Sequence, residues 1–223
     1  MSLARIAPLL FILLGLIYWL SLWTQGFSGD WAVKAAPMLL AAAVLGQRLP
    51  ARVGLPMAIG FLAAAAGDVY LALDRHAHLI QGLLCFLVTQ VAYSIAFSAR
   101  QRPLGERLEY RLPIAVYGAV LLAMMLPGLG SKLVPVFVYV VALIAMAVLS
   151  AGVEPRPGRV YFGACAFVIA DSLIGIDRFI VQVPVSEIAI VGIYTVGQFL
   201  IFTGMLAAHR DEPGGDRSWL AAD

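Results

Sequence analysis

Eight predominantly apolar stretches follow one another along the chain, separated only by short charged or Pro/Gly-rich breaks. They lie near residues 6–23, 31–47, 54–73, 79–99, 112–127, 132–152, 158–179 and 187–208. A helix needs about 20 mostly apolar residues to cross the roughly 30 Å hydrocarbon layer of a bilayer. Lipid offers the backbone no hydrogen-bond partner, so runs of this length are stable there as helices, whose N–H and C=O groups pair internally. With 62% hydrophobic and 13% charged residues and a mean hydropathy of +0.92, the chain has more apolar surface than a soluble core could hide. The expected fold is an all-α polytopic membrane protein of eight transmembrane helices. It forms a single integral membrane domain over 1–223, with a short polar cytoplasmic tail at 209–223.

Charge placement gives the orientation. Arg5, Arg48, Arg52, Arg100, Arg102, Arg107, Arg111, Arg156, Arg159, Arg210 and Arg217 fall on one side of the alternating spans, against Arg75, Lys132 and Arg178 on the other. Lys and Arg accumulate in cytoplasmic loops, so both termini are expected in the cytoplasm. The first run, Ile6 to Leu22, follows Arg5 as a signal peptide would, but it lacks an A-x-A-like cleavage site and continues into Trp23 and Thr24. It is read as a retained helix. A net charge of +2 without a basic run argues against a nucleic-acid partner. Cys85 and Cys165 lie within apolar stretches and read as small hydrophobes. Arginine outnumbers lysine 13 to 2, and the compact chain shows no targeting tail, which leans toward a bacterial inner membrane.

An internal echo accompanies this pattern. Asp68, Asp74 and Arg75 recur as Asp171, Asp177 and Arg178, each shifted by 103 residues. Each set is followed by a helix carrying Gln and Tyr, namely Gln90 with Tyr93 and Tyr194 with Gln198. This spacing predicts a parallel 4+4 repeat around a pseudo-twofold axis, an arrangement known among transporters.

Three ionisable residues fall within spans: Lys34, Asp68 and Asp171. Such groups cost a few kcal/mol in hydrocarbon even on lenient scales, so each calls for a partner, a wet cavity or a function. In the expected topology all three occupy the outer half of the membrane, which allows a common polar pocket. Two carboxyls facing such a pocket can divide acid and base roles if their surroundings differ; the plainer reading is that Lys34 neutralises one of them and fixes helix packing. Gln90 and Tyr93 share one helical face, as do Tyr194 and Gln198, and can line the pocket or bond between helices. Gly60, Ala64 and Gly67 read as a close-packing face. Asp74, Arg75, Asp177 and Arg178 sit at the outer interface, where a solvated ion pair and a lipid headgroup site are the alternatives. His76 and His78 are expected at the end opposite His209, so no metal site or cofactor is expected. No phosphate loop, G-x-S-x-G elbow or H-E-x-x-H motif occurs.

Val33-Lys34 with Pro37, Gly67-Asp68-Val69-Tyr70-Leu71, and Phe86 to Phe97 appear in this order, followed by Gly163-Ala164-Cys165-Ala166-Phe167-Val168-Ile169-Ala170-Asp171-Ser172-Leu173. Asp177-Arg178-Phe179, Tyr194 and Gln198-Phe199-Leu200-Ile201 complete the series. Together these segments resemble the YhhN-like lysoplasmalogenase family. Two departures stand out: Ala35 and Ala36 separate Lys34 from Pro37, and Gln90 takes a place where the family commonly has histidine. Gln90 can bind or orient but cannot relay a proton as histidine does.

The resemblance implies an intramembrane hydrolase with a lysophospholipid substrate, drawn from the membrane lipid around it. It would cleave the vinyl ether bond of lysoplasmalogen to a fatty aldehyde and a glycerophospho-base. Asp68 and Asp171 would be its catalytic carboxyls, and Lys34, Gln90, Tyr93, Tyr194, Gln198, Asp177 and Arg178 its substrate-binding groups. The competing expectation, on physical grounds, is a small-solute or proton-coupled transporter, since embedded carboxylates and repeats suit transport as well.

Overall fold

The computed structural model describes residues 3–24, 26–74, 77–100, 102–153, 158–181 and 187–210. Arg75, His76, Arg156, Arg217 and positions 211–223 of the tail lie outside the described residues. The helices run in chain order as α1 Leu3–Ser21, α2 Asp30–Arg48, α3 Ala51–Leu73, α4 Leu79–Ser98, α5 Leu108–Leu129, α6 Leu133–Ser150, α7 Arg159–Phe179 and α8 Glu187–Arg210. Short 3-10 turns cover Leu22–Thr24 and Gly130–Lys132, and no strand occurs among the described residues.

Among the described residues, six helical stretches are long and apolar enough to cross a membrane: Arg5–Thr24, Ala51–Leu73, Leu79–Ser98, Leu108–Ser150, Arg159–Phe179 and Glu187–Arg210. The fourth, at 43 residues, holds both α5 and α6, which fold back at the 3-10 turn and pack on each other. Helix α2 is outside this group because its 19 residues include Asp30, Lys34, Gln47 and Arg48. The chain is a multi-pass helical membrane protein.

Helix α5 is longer than the apolar run 112–127 suggests. Its start recruits Leu108 and Glu109, the latter placing negative charge in the first turn where the helix dipole favours it. At its other end the helix continues through Pro127 and Gly128 and stops at Gly130, whose φ of +49° is open to glycine and strained for other residues.

Lipid tails are as apolar as leucine, so close packing and interhelical hydrogen bonds hold such a bundle together. Helix α3 packs closely on α2 and α4, and α7 on α8. A Cβ on Gly163 would lie 2.6 Å from the Gly197 carbonyl oxygen, so these two glycines allow the α7 and α8 backbones to touch. Phe11, Phe61 and Phe202 join α1, α3 and α8, with ring centroids 5.7 and 6.4 Å apart. Phe86, Phe167 and Tyr194 form a second aromatic knot between α4, α7 and α8. The outward faces present leucines, isoleucines and valines, such as Leu9, Ile12, Leu16, Leu112, Val116 and Val134. By contrast α6 and α7 meet sparingly, and a cavity opens where α4, α5, α6 and α7 converge.

Candidate active site

Two rows of hydrogen-bonded side chains cross the bundle, each built around one aspartate. Asp68, on α3, is 1% exposed. Its Oδ2 accepts the Tyr194 hydroxyl from α8 at 3.1 Å. Gln198, one turn further along α8, donates its Nε2 to the Tyr194 oxygen at 3.2 Å and accepts the Tyr93 hydroxyl from α4 at 2.9 Å. Every member of this row has a partner, which is what low-dielectric surroundings demand of buried polar groups. Lys34, buried on α2, lies near enough to act electrostatically on Asp68, and its ammonium stands 5.2 Å from the centroid of the Tyr18 ring.

The second row gathers on Asp171, on α7. Its Oδ2 accepts the Tyr139 hydroxyl from α6 at 2.6 Å and the Gln90 Nε2 from α4 at 3.3 Å. Gln90 is fully buried, and its own Oε1 has no hydrogen-bond partner among the described residues. Both rows therefore draw on α4, with Gln90 serving Asp171 and Tyr93, one turn away, serving the Asp68 row. That turn is held in place by Thr89, whose hydroxyl donates to the Gly60 carbonyl of α3 at 3.0 Å. A Cβ on Gly60 would collide with the Tyr93 ring, so glycine there lets the ring lie against α3.

Asp171 lines the cavity, a space of about 530 Å³ whose walls are almost wholly apolar. Leu83 and Leu87 of α4, Leu121 and Met125 of α5 and Leu143 of α6 form much of that wall. Tyr139 and Ser172 reach it beside Asp171, and Lys132 and Arg178 line it at the helix ends. The volume and the few convergent polar groups are those of a small-molecule site, typically ~300–1,000 Å³. Asp68, Lys34, Tyr93, Tyr194 and Gln198 are not among its lining residues, so the common pocket expected for the three ionisable groups resolves into one lined cavity and one packed polar row.

Among the interfacial residues, Arg178 lines the cavity and Asp177 is exposed at the end of α7. Asp74 accepts the Ala77 backbone N–H at 2.9 Å in the turn before α4. Sequence reasoning passed over Tyr139, which makes the shortest bond to Asp171. The signal was present, since Tyr139 is the sole strong hydrogen-bond donor among the side chains from Leu133 to Leu149.

A bundle of long apolar helices, with two carboxyls on its inner helix faces and an apolar cavity among the helices, is that of a multi-pass membrane protein. Residues 29–205 match the YhhN family, and the chain belongs to that family. It is 30% identical over 209 residues to lysoplasmalogenase TMEM86A of Homo sapiens, with 86% of this chain and 85% of that protein covered. Identity to lysoplasmalogenase TMEM86A of Bos taurus is 28% over 212 residues, covering 87% of this chain and 86% of that protein. No solved structure matches. The resemblance carried by the segments around Lys34, Asp68, Asp171 and Gln198 is thus borne out.

Proposed function

We propose that the protein hydrolyses the vinyl ether bond of lysoplasmalogen inside the membrane, with Asp171 as the group that meets the substrate. The observation that carries this reading is the placement of Asp171 on an apolar cavity, held by Tyr139 and Gln90, in a chain akin to lysoplasmalogenases over most of its length.

The Tyr139 and Gln90 bonds to Asp171 fall on Oδ2, and in this reading Oδ1 carries and delivers the proton. In the proposed reaction that proton passes to the β-carbon of the vinyl ether, and the C=C electron pair forms the new C–H bond. The resulting cation at the α-carbon is stabilised by the ether oxygen lone pair. Water adds to the α-carbon and gives up a proton to the Asp171 carboxylate, forming a hemiacetal. Collapse breaks the bond between the α-carbon and the glycerol oxygen: the hemiacetal hydroxyl gives up its proton to form the aldehyde C=O, the glycerol oxygen takes up the proton held by Asp171, and fatty aldehyde and glycerophospho-base result. Positioned acid and base groups of this kind contribute about 10²–10⁴-fold. Asp68 takes part as the second carboxyl and supplies negative charge from the neighbouring row. With Lys34, it fixes Tyr194, Gln198 and Tyr93, and through α4 the position of Gln90. This two-carboxyl arrangement parallels the glycosidases, which also pass through an oxocarbenium-like state. Arg178 and Asp177 would meet the headgroup.

The same reading includes eight spans, with α2 as a polar second span and α5 and α6 as separate ones. Both termini lie in the cytoplasm of a bacterial inner membrane. It also includes the parallel repeat: α3 packs on α4 as α7 packs on α8, and α4 meets α6 as α8 meets α2.

Aldehyde release from lysoplasmalogen by the purified protein tests the reading, beside Asp171→Asn and Asp68→Asn variants checked for intact folding. The expected result is activity in the parent that Asp171→Asn abolishes. A folded parent that releases no aldehyde, yet moves a solute across proteoliposomes, overturns the hydrolase in favour of a carrier.

A further inference from the structure

We propose that Lys132 and Arg178 form an anion anchor at the mouth of the cavity, which selects single-chain lipids bearing a phosphate and sets the depth at which they sit. This rests on the lysoplasmalogen reading of the same cavity and adds to it Lys132 as the partner of Arg178, with the headgroup phosphate as what the two recognise. Lys132 ends the 3-10 turn between α5 and α6, and Arg178 lies in the last turn of α7, yet both line one cavity. Lys132 is held toward α7 by the Phe179 ring, 5.9 Å from its ammonium. Two exposed cations on the rim of one apolar cavity make a positive field that favours an anion there. The remaining wall is apolar and offers such an anion a hydrocarbon tail to go with it.

Spacing along α7 turns this anchor into a ruler. Arg178 and Asp171 are seven residues apart, about two turns or ~10 Å along the axis, and so lie close to one face. Both residues line the cavity, so its wall joins the two heights. A glycerol backbone joins the phosphate to the vinyl ether in a lysoplasmalogen. With the phosphate at Arg178 and Lys132, three carbons and their flanking oxygens bring the vinyl ether to the depth of Asp171. A phosphate-free 1-alkenylglycerol has the same reactive bond but nothing to fix its depth.

The test compares aldehyde release from lysoplasmalogen and from 1-alkenylglycerol of the same chain, for the parent and for Lys132→Ala, Arg178→Ala and Lys132→Arg. Binding of the non-hydrolysable 1-alkyl lysophospholipid is followed in parallel by calorimetry. The parent is expected to prefer the phosphate-bearing substrate. Each alanine variant should lower that preference about tenfold, as the loss of one charge-assisted hydrogen bond implies, and weaken the alkyl analogue to a similar degree. Lys132→Arg should restore both. A preference and an affinity unchanged in both alanine variants overturn the anchor while leaving hydrolysis in place. If no substrate is hydrolysed but the alkyl analogue still binds through Lys132 and Arg178, the hydrolase reading fails and the anchor stands. Displacement of that analogue by inorganic phosphate alone would mean a bare anion site and also overturn the proposal.

Discussion

Around Asp68 the helix α3 packs closely on α2 and α4 and is tied to α8 through Tyr194, whereas around Asp171 the helices α6 and α7 meet sparingly and a cavity opens beside the carboxyl. The two carboxyls have the same chemistry, yet one is sealed in a saturated chain of donors and acceptors and the other borders open apolar space. A saturated row in a low-dielectric interior rigidifies what it joins. A carboxyl at a cavity wall can exchange its proton with whatever enters. The proposed mechanism rests on this difference, with positioning in the first region and chemistry in the second, and it can be broken by asking whether the two respond alike to the same substitution.

The largest expected contrast is between Asp171→Asn and Asp68→Asn. Removing the proton donor at Asp171 should reduce kcat for aldehyde release on the order of 10²–10⁴-fold. Asn at 68 still accepts from Tyr194 and loses only the charge facing Lys34, so a fall of about 10-fold is expected. Equal losses would mean that the two carboxyls act as one unit and that the distinction between the regions fails.

A smaller contrast separates the tyrosines. Tyr139→Phe removes the donor 2.6 Å from Asp171 and should lower kcat about tenfold with little change in thermal stability, because Asp171 Oδ2 keeps the Gln90 bond. Tyr194→Phe leaves Asp68 and Gln198 short of a partner in a closed interior, and should cost about 1–3 kcal/mol of stability. Melting curves and kcat measured on both variants give the pattern. A Tyr139→Phe protein that unfolds early while Tyr194→Phe does not would reverse the assignment.

Much of this contrast was not legible in the sequence. The all-helical membrane fold follows from apolar runs of bilayer length, and the family from short segments in order. The residues Lys34, Asp68, Asp171, Gln90, Tyr93, Tyr194 and Gln198 announce themselves as polar groups in hydrocarbon. What the one-dimensional pattern lacks is the pairing of helices, and with it the knowledge that Gln90 turns to Asp171 while Tyr93, three residues on, turns to Gln198. Tyr139 was missed because an aromatic residue in an apolar helix reads as packing until its hydroxyl is seen to have a partner. The cavity depends on how loosely α6 and α7 pack, which no local spacing encodes.

Between the two regions stands α4, and Gly60 is the place to perturb its fit on α3. A methyl group there meets the Tyr93 ring, and overpacking of this kind costs about 1–3 kcal/mol. Gly60→Ala should therefore lower the melting temperature and shift Tyr93, with a partial loss of kcat transmitted through Gln90. A variant as stable as the parent but inactive would show that α4 carries more of the chemistry than the contrast allows.

The smallest effect is expected next to the largest. Ser172 follows Asp171 in sequence and also lines the cavity, so a hydroxyl nucleophile is the obvious rival to a carboxyl acid. Its Oγ, however, donates to the Val168 carbonyl of its own helix at 2.6 Å, a back-bond that ties the hydroxyl to α7 rather than to a base. An activated serine needs a general base within hydrogen-bond reach, and a peptide carbonyl cannot take its proton. Ser172→Ala should therefore change kcat by about twofold or less and stability by about 0.5 kcal/mol or less. Loss of activity in a folded Ser172→Ala protein would replace proton transfer from Asp171 with covalent catalysis, and would make the open region a different kind of site altogether.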